Sequence, residues 1–140
     1  MEFVYTSMRI EDYDEIYTLW QSTSGIHLNK ADKRDNLNMY LLRNKGQSYI
    51  CKYENKIIGT IMCGNDGRRA FIYHLAVSSE YRRRGIATKL VHLAIEKQRA
   101  LGIDKCALFI LDNNGSGKEF WIHMGFLPVQ EADAMAKDIQ

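Results

Sequence analysis

Arg82, Arg83, Arg84 and Gly85 stand where an apolar, β-prone run gives way to helical spacing. Before them lies Phe71-Ile72-Tyr73-His74-Leu75-Ala76-Val77. After them Ala87, Leu90, Val91, Ala94, Ile95 and Leu101 recur at the period of one helix face, and Gly102 supplies a left-handed cap. The stretch from Tyr81 through Ile86, Ala87 and Thr88 is therefore a turn from a strand into a helix start. Helix starts expose unpaired backbone N–H groups at the positive end of the helix dipole, which stabilises phosphate oxygens. Gly85 admits close backbone approach, and the guanidinium groups add charge-assisted hydrogen bonds. The chemistry within reach of this pattern is to cradle a diphosphate. Two other phosphate loops are absent: the chain has no Gly-x-x-x-x-Gly-Lys-[Ser/Thr], and no Gly-x-Gly-x-x-Gly after an early strand.

Arg82-x-x-Gly85-x-Ala87 resembles the [Gln/Arg]-x-x-Gly-x-[Gly/Ala] signature of the GNAT acyltransferases. Downstream, Asn114 to Phe126 is similar to a second pattern of that family, Asn-x-x-Ala-x-x-x-Tyr-x-x-x-Gly-Phe. Asn114, Gly125 and Phe126 match it, Gly117 stands for the alanine and Trp121 for the tyrosine. The two patterns flank one strand candidate, residues 105–111, in the order the family has, and the resemblance spans nearly the whole chain. It implies a GNAT fold of the mixed α/β class: a central, mostly antiparallel sheet with one parallel β-α-β crossover, strands splayed at the coenzyme site, and about four flanking helices. It also implies acetyl-CoA as cosubstrate, with no metal. The diphosphate would lie on residues 82–88, and the pantetheine arm would pair with the backbone of Leu75, Ala76 and Val77, near Asn114, Gly117 and Trp121.

The composition fits one soluble domain over residues 1–140, since 46% apolar and 26% charged residues are ordinary for a globular protein. A net charge of +2 gives no push toward nucleic acid. Cys51, Cys63 and Cys106 are isolated in apolar runs, which predicts buried reduced thiols, a reducing compartment and no paired-cysteine metal site. With neither a signal segment nor an apolar run of membrane length, the expected location is cytoplasmic, away from membranes.

The coarse order reads β-α-α-β-β-β-α-β-α-β. Residues 1–6 form a first strand. Asp12-x-x-Glu15 is a capping box for a helix carrying Tyr13, Ile16, Leu19 and Trp20 inward, and residues 22–29 are loop. Residues 32–43 are a second helix with Leu37, Tyr40 and Leu41 inward. Residues 47–53 and 56–63 are strands joined at Glu54-Asn55, and Asp66-Gly67 turns the chain into the strand at 71–77. Residues from 126 onward are expected to close the sheet with one or two strands, the last at 134–139.

The resemblance implies acyl transfer from acetyl-CoA to a primary amine by direct attack in a ternary complex. The alternative is an acyl-CoA-sensing domain without turnover. A backbone N–H of Leu75, Ala76 or Val77 would polarise the thioester carbonyl. A lysine-like amine, with a pKa near ~10.4, is almost wholly protonated at neutral pH, so a proton must be removed. Phe71 stands where some relatives carry a glutamate and cannot act as a base. Tyr73 follows two residues later, where some carry a histidine, although a phenol near ~10 is a poor base. His74 has the better pKa, but strand alternation turns it to the opposite face. His27, His92 and His123 read as surface residues. Trp121 cannot act as the family tyrosine does in protonating the leaving thiolate, so either departure proceeds without an acid or the domain only binds the coenzyme. Trp121 then packs against pantetheine. The amine acceptor (small molecule, lysine or protein N-terminus) and the state, monomer or homodimer, stay open.

Overall fold

The computed structural model describes residues 1–111 and 114–140. Five strands form one sheet in chain order, β1-β2-β3-β4-β5. They are β1 (Val4–Ser7), β2 (Tyr49–Tyr53), β3 (Lys56–Asn65), β4 (Ala70–Val77) and β5 (Cys106–Ala107), antiparallel except for the parallel β4–β5 pair. Helices α1 (Tyr13–Gln21) and α2 (Arg34–Arg43) cover one face, and α3 (Ile86–Ala100) and α4 (Gly115–His123) cover the other. Trp20, Ile16 and Leu37 are sealed under the first pair, with Ile50 and Met62 beneath them. Leu90, Val91 and Ala94 of α3 pack on Ile58, Ile61 and Ile72. Each such large apolar side chain contributes roughly 1.5–3 kcal/mol when fully buried. The α3 crossover joins the two parallel strands, as the sequence predicts.

Several expectations are corrected. The Asp12 capping box does not form: Asp12 ends a 3-10 turn over Ile10–Asp12 and its side chain makes no cap bond. Glu15 instead accepts from the Ile57 N–H at 2.6 Å, tying α1 to β3. A capping box does form in the segment expected to be loop, at Asn29, over a turn of Lys30–Asp32, and α2 starts two residues later than predicted. The strand expected over 105–111 pairs only at Cys106 and Ala107. The closing strands do not form, and residues 127–140 are exposed and irregular. Pro128 donates no N–H, and the Ala-, Asp- and Glu-rich run after it lacks both β-propensity and alternation. Cys51 and Cys63 are buried free thiols, whereas Cys106 is half-buried.

Candidate active site

The ladder between β4 and β5 ends after the pair Phe71–Ala107. Beyond it the two segments part, and residues 72–75 and 108–111 line a cleft of about 580 Å³. Thr23, Gly25, His27 and Asn29 from the α1–α2 connection close one side of it, and Gly117, Phe120 and Trp121 of α4 close the other. His27 is exposed, as expected, and stands on the cleft wall. Trp121 of α4 lines the cleft and packs against the core on the α3 side of the sheet. That indole packs edge-on against Phe120 at 5.2 Å and Phe126 at 5.0 Å.

The far end of the cleft is the arginine-glycine turn. A second concavity of about 220 Å³, lined by Val77, Arg82, Arg83, Gly85, Ala87, Thr88 and Phe120 among others, shares Val77, Arg82, Ala87 and Phe120 with the first. Gly85 is the N-cap of α3 at φ +77°, a backbone that favours glycine. Having no side chain, it leaves the first N–H groups of α3 without a cap bond. The first turn of α3 carries no acidic residue, and a Cβ on Gly85 would meet nothing within 4 Å. This open, uncapped, positive helix start fits a diphosphate. Arg82 reaches back to the Val77 carbonyl at 3.2 Å, fixing the turn to the end of β4. Arg84 departs from expectation: it does not line the concavity but approaches the Met1 sulfur at 2.8 Å. Ile86 is buried against the core, leaving only its backbone for a ligand.

Along β4 the three expected backbone positions are not equivalent. The Ser78 N–H bonds to the Ile58 carbonyl at 2.8 Å, which sets the antiparallel alternation. Ala76, opposite Thr60, is thereby turned into the ladder, and Val77, opposite Gly59, faces away from β3 toward the cleft. Asn114 caps α4, its side chain accepting from the Gly117 N–H at 3.1 Å, which leaves its amide NH₂ for a ligand. A Cβ on Gly117 would lie 2.4 Å from Asn114 Nδ2, so the glycine that replaces the family alanine lets the asparagine fold over its own helix.

The largest correction concerns His74. The β3–β4 register shifts between Thr60–Ala76 and Met62–Tyr73, placing one extra residue in β4. His74 sits in this bulge at φ +40°, a strained backbone for a non-glycine residue, costing about 1–3 kcal/mol. Strict alternation fails there. His74 therefore faces the same side as Tyr73, over α1 and α2, and lines the cleft. Its ring lies 4.7 Å from that of Trp20. The indole Nε1–H donates to Thr60 Oγ1 at 2.9 Å, and the Thr60 hydroxyl donates to the His74 carbonyl at 3.3 Å. Its Nε2 is 2.7 Å from Asp32 Oδ1. Asp32 was not among the residues singled out from sequence; no local pattern links positions 42 residues apart.

Tyr73 is 42% exposed, in contact with Phe71 at 5.2 Å and Tyr40 at 6.2 Å, and Phe71 in turn meets Phe109 at 5.0 Å. Burial pushes the Tyr73 phenol above its ordinary value, which makes it a weaker candidate for removing protons. His92 and His123 lie away from the cleft lining. Among the described residues no group of three or more histidine, cysteine or acidic side chains could hold a metal. No helix of the described residues is long and apolar enough to cross a membrane.

The sheet split and the α3 start define an acetyltransferase fold, and the model of the acetyltransferase (GNAT) family matches residues 13–126. The chain belongs to that family. It is 30% identical over 106 residues to an acetyltransferase of Photorhabdus laumondii, covering 76% of this chain and 73% of the relative. Among solved structures, the PaiA N-acetyltransferase of Thermoplasma acidophilum in complex with coenzyme A superposes with a TM-score of 0.80 at 18% identity, over 95% of this chain and 94% of that one. The NatC complex bound to Gag peptide and CoA matches with a TM-score of 0.78 at 27% identity, over 93% of this chain and 87% of that one.

Proposed function

We propose that the protein transfers an acetyl group from acetyl-CoA to a primary amine, with His74 as the group that takes the amine's proton. The observation that carries this reading is the cleft between β4 and β5. It runs from an uncapped, arginine-flanked helix start to an imidazole brought into it by a bulge. Arg82, Arg83 and the N–H groups at Gly85, Ala87 and Thr88 would hold the diphosphate. The Val77 backbone and the Asn114 amide would hold the pantetheine arm, with Leu75 beside the acyl group. Acetyl-CoA supplies an activated thioester. The chain contributes position, a polar backbone at the carbonyl and a base, of which position alone is worth several kcal/mol. The NatC structure, holding both CoA and a peptide, supports a ternary arrangement in this fold. Trp121 offers no acidic proton; a thiol of reference pKa near ~8.5 departs as thiolate.

Free-thiol release from acetyl-CoA over peptides, polyamines, amino acids and aminoglycosides tests the reading. Amine-dependent release is the expected result. Tight CoA binding with no release for any amine would replace it with the sensor reading.

A further inference from the structure

Asp32 is 3% exposed. A buried carboxylate is costly unless its oxygens are bonded, and here both are. Oδ2 accepts from the Asn29 N–H at 3.1 Å and Oδ1 meets His74 Nε2 at 2.7 Å. The turn that carries it is itself fixed: Tyr13 donates its hydroxyl to the Asp32 carbonyl at 2.6 Å, and Asn36 donates to the Lys30 carbonyl at 2.6 Å. A carboxylate only accepts hydrogen bonds, so Nε2 must carry the hydrogen, and the neutral ring keeps its lone pair at Nδ1. No hydrogen bond reaches Nδ1 among the described residues. The other titratable groups around the ring carry no competing negative charge: Tyr13 stands behind Asp32, and His27, Tyr73 and Arg82 lie along the cleft. Trp20 and Thr60 complete the packing without charge.

We propose that Asp32 is a positioning residue for acetyl transfer, holding His74 as the Nε2–H tautomer so that Nδ1 accepts the proton and stabilising the imidazolium that results. The inference rests on the reading of His74 as the base. In the balanced step the amine nitrogen bonds to the acyl carbon and the carbon–sulfur bond breaks with its electron pair on sulfur. The amine proton passes to Nδ1, directly or through one water, and then to solvent. The α1–α2 connection, which walls the cleft, thereby also sets the protonation of the base.

The test joins three measurements on the full chain. Long-range ¹H–¹⁵N correlation of the parent reads the His74 tautomer without turnover; a ring protonated at Nε2 is expected, and one protonated at Nδ1 overturns the proposal. Asp32→Asn removes the charge and offers an amide that can donate to Nε2, so kcat/KM should fall about 10²–10⁴-fold. Acetyl-CoA affinity should stay within a few-fold. If Asp32→Asn keeps the parent's rate while His74→Gln loses activity, the positioning role alone fails. If His74→Gln turns over like the parent, the base assignment fails and this role with it. Should Asp32→Asn not fold, the tautomer of the parent still decides.

Discussion

The helix start at Gly85 and the bulge at His74 bracket the same strand end, yet they are specified in different ways. The first is local. Arg82, Gly85 and the α3 face that follows lie within one continuous segment, and each residue does there what its type alone allows. The second is assembled: His74 gains its place from a register shift against β3, a tilted ring contact with Trp20 and a carboxylate from before α2. An open helix start can thus be written into a short motif, whereas an imidazole held against a buried carboxylate needs several elements to agree. The bulge connects the two, because it stores strain at one residue and releases a side chain into the cleft.

Substitutions can break that comparison. The largest effect is expected at the assembled region: His74→Gln should lower kcat/KM about 10²–10⁴-fold at neutral pH, with acetyl-CoA affinity unchanged by calorimetry. Tyr73→Phe in the same assay should stay within a few-fold. A reversed order would return proton removal to the phenol. Next comes the local region. Gly85→Asp forces a side chain into a backbone at φ +77° and sets a carboxylate at the helix start. Acetyl-CoA should bind about tenfold more weakly or worse, ~1.4 kcal/mol, and an unchanged dissociation constant would place the diphosphate elsewhere.

Smaller effects sharpen the boundary between site and scaffold. Gly117→Ala brings a Cβ to 2.4 Å from Asn114 Nδ2, so the cap must open. A lost cap costs about 1 kcal/mol, which thermal unfolding should read as a drop in Tm of about 3 °C. The smallest effect lies at the β3–β4 turn. The Arg69 and Arg68 N–H groups bond to Asp66 Oδ1 and hold its carboxyl below the usual value. A depressed folded-state pKa stabilises above the unfolded value of 3.8 and is lost as pH falls through the folded one. Asp66→Asn should therefore lower the urea midpoint slightly at pH 7 and match the parent at pH 2. An equal deficit at both would mean that the carboxylate's charge is irrelevant to the turn.

By itself the sequence determined the elements that rest on short-range physics. The α3 face, the Gly85 start, the Gly102 end at φ +81° and the parallel crossover follow from periodicity, capping and chain handedness. The open helix start at Gly85 was legible for the same reason, whereas the direction of Arg84 depends on where Met1 lies. Strand alternation gave the wrong side for His74 because a bulge is decided by what the partner strand and Trp20 require, not by residues 71–77. The Asp12-x-x-Glu15 pattern was present, but Glu15 found a stronger use at the Ile57 N–H. A closing strand past Phe126 needed an edge to pair with, and β5 keeps only two paired residues. Tertiary structure alone brought Asp32 to His74, since a 2.7 Å contact across 42 residues depends on how α1 and α2 pack over the sheet.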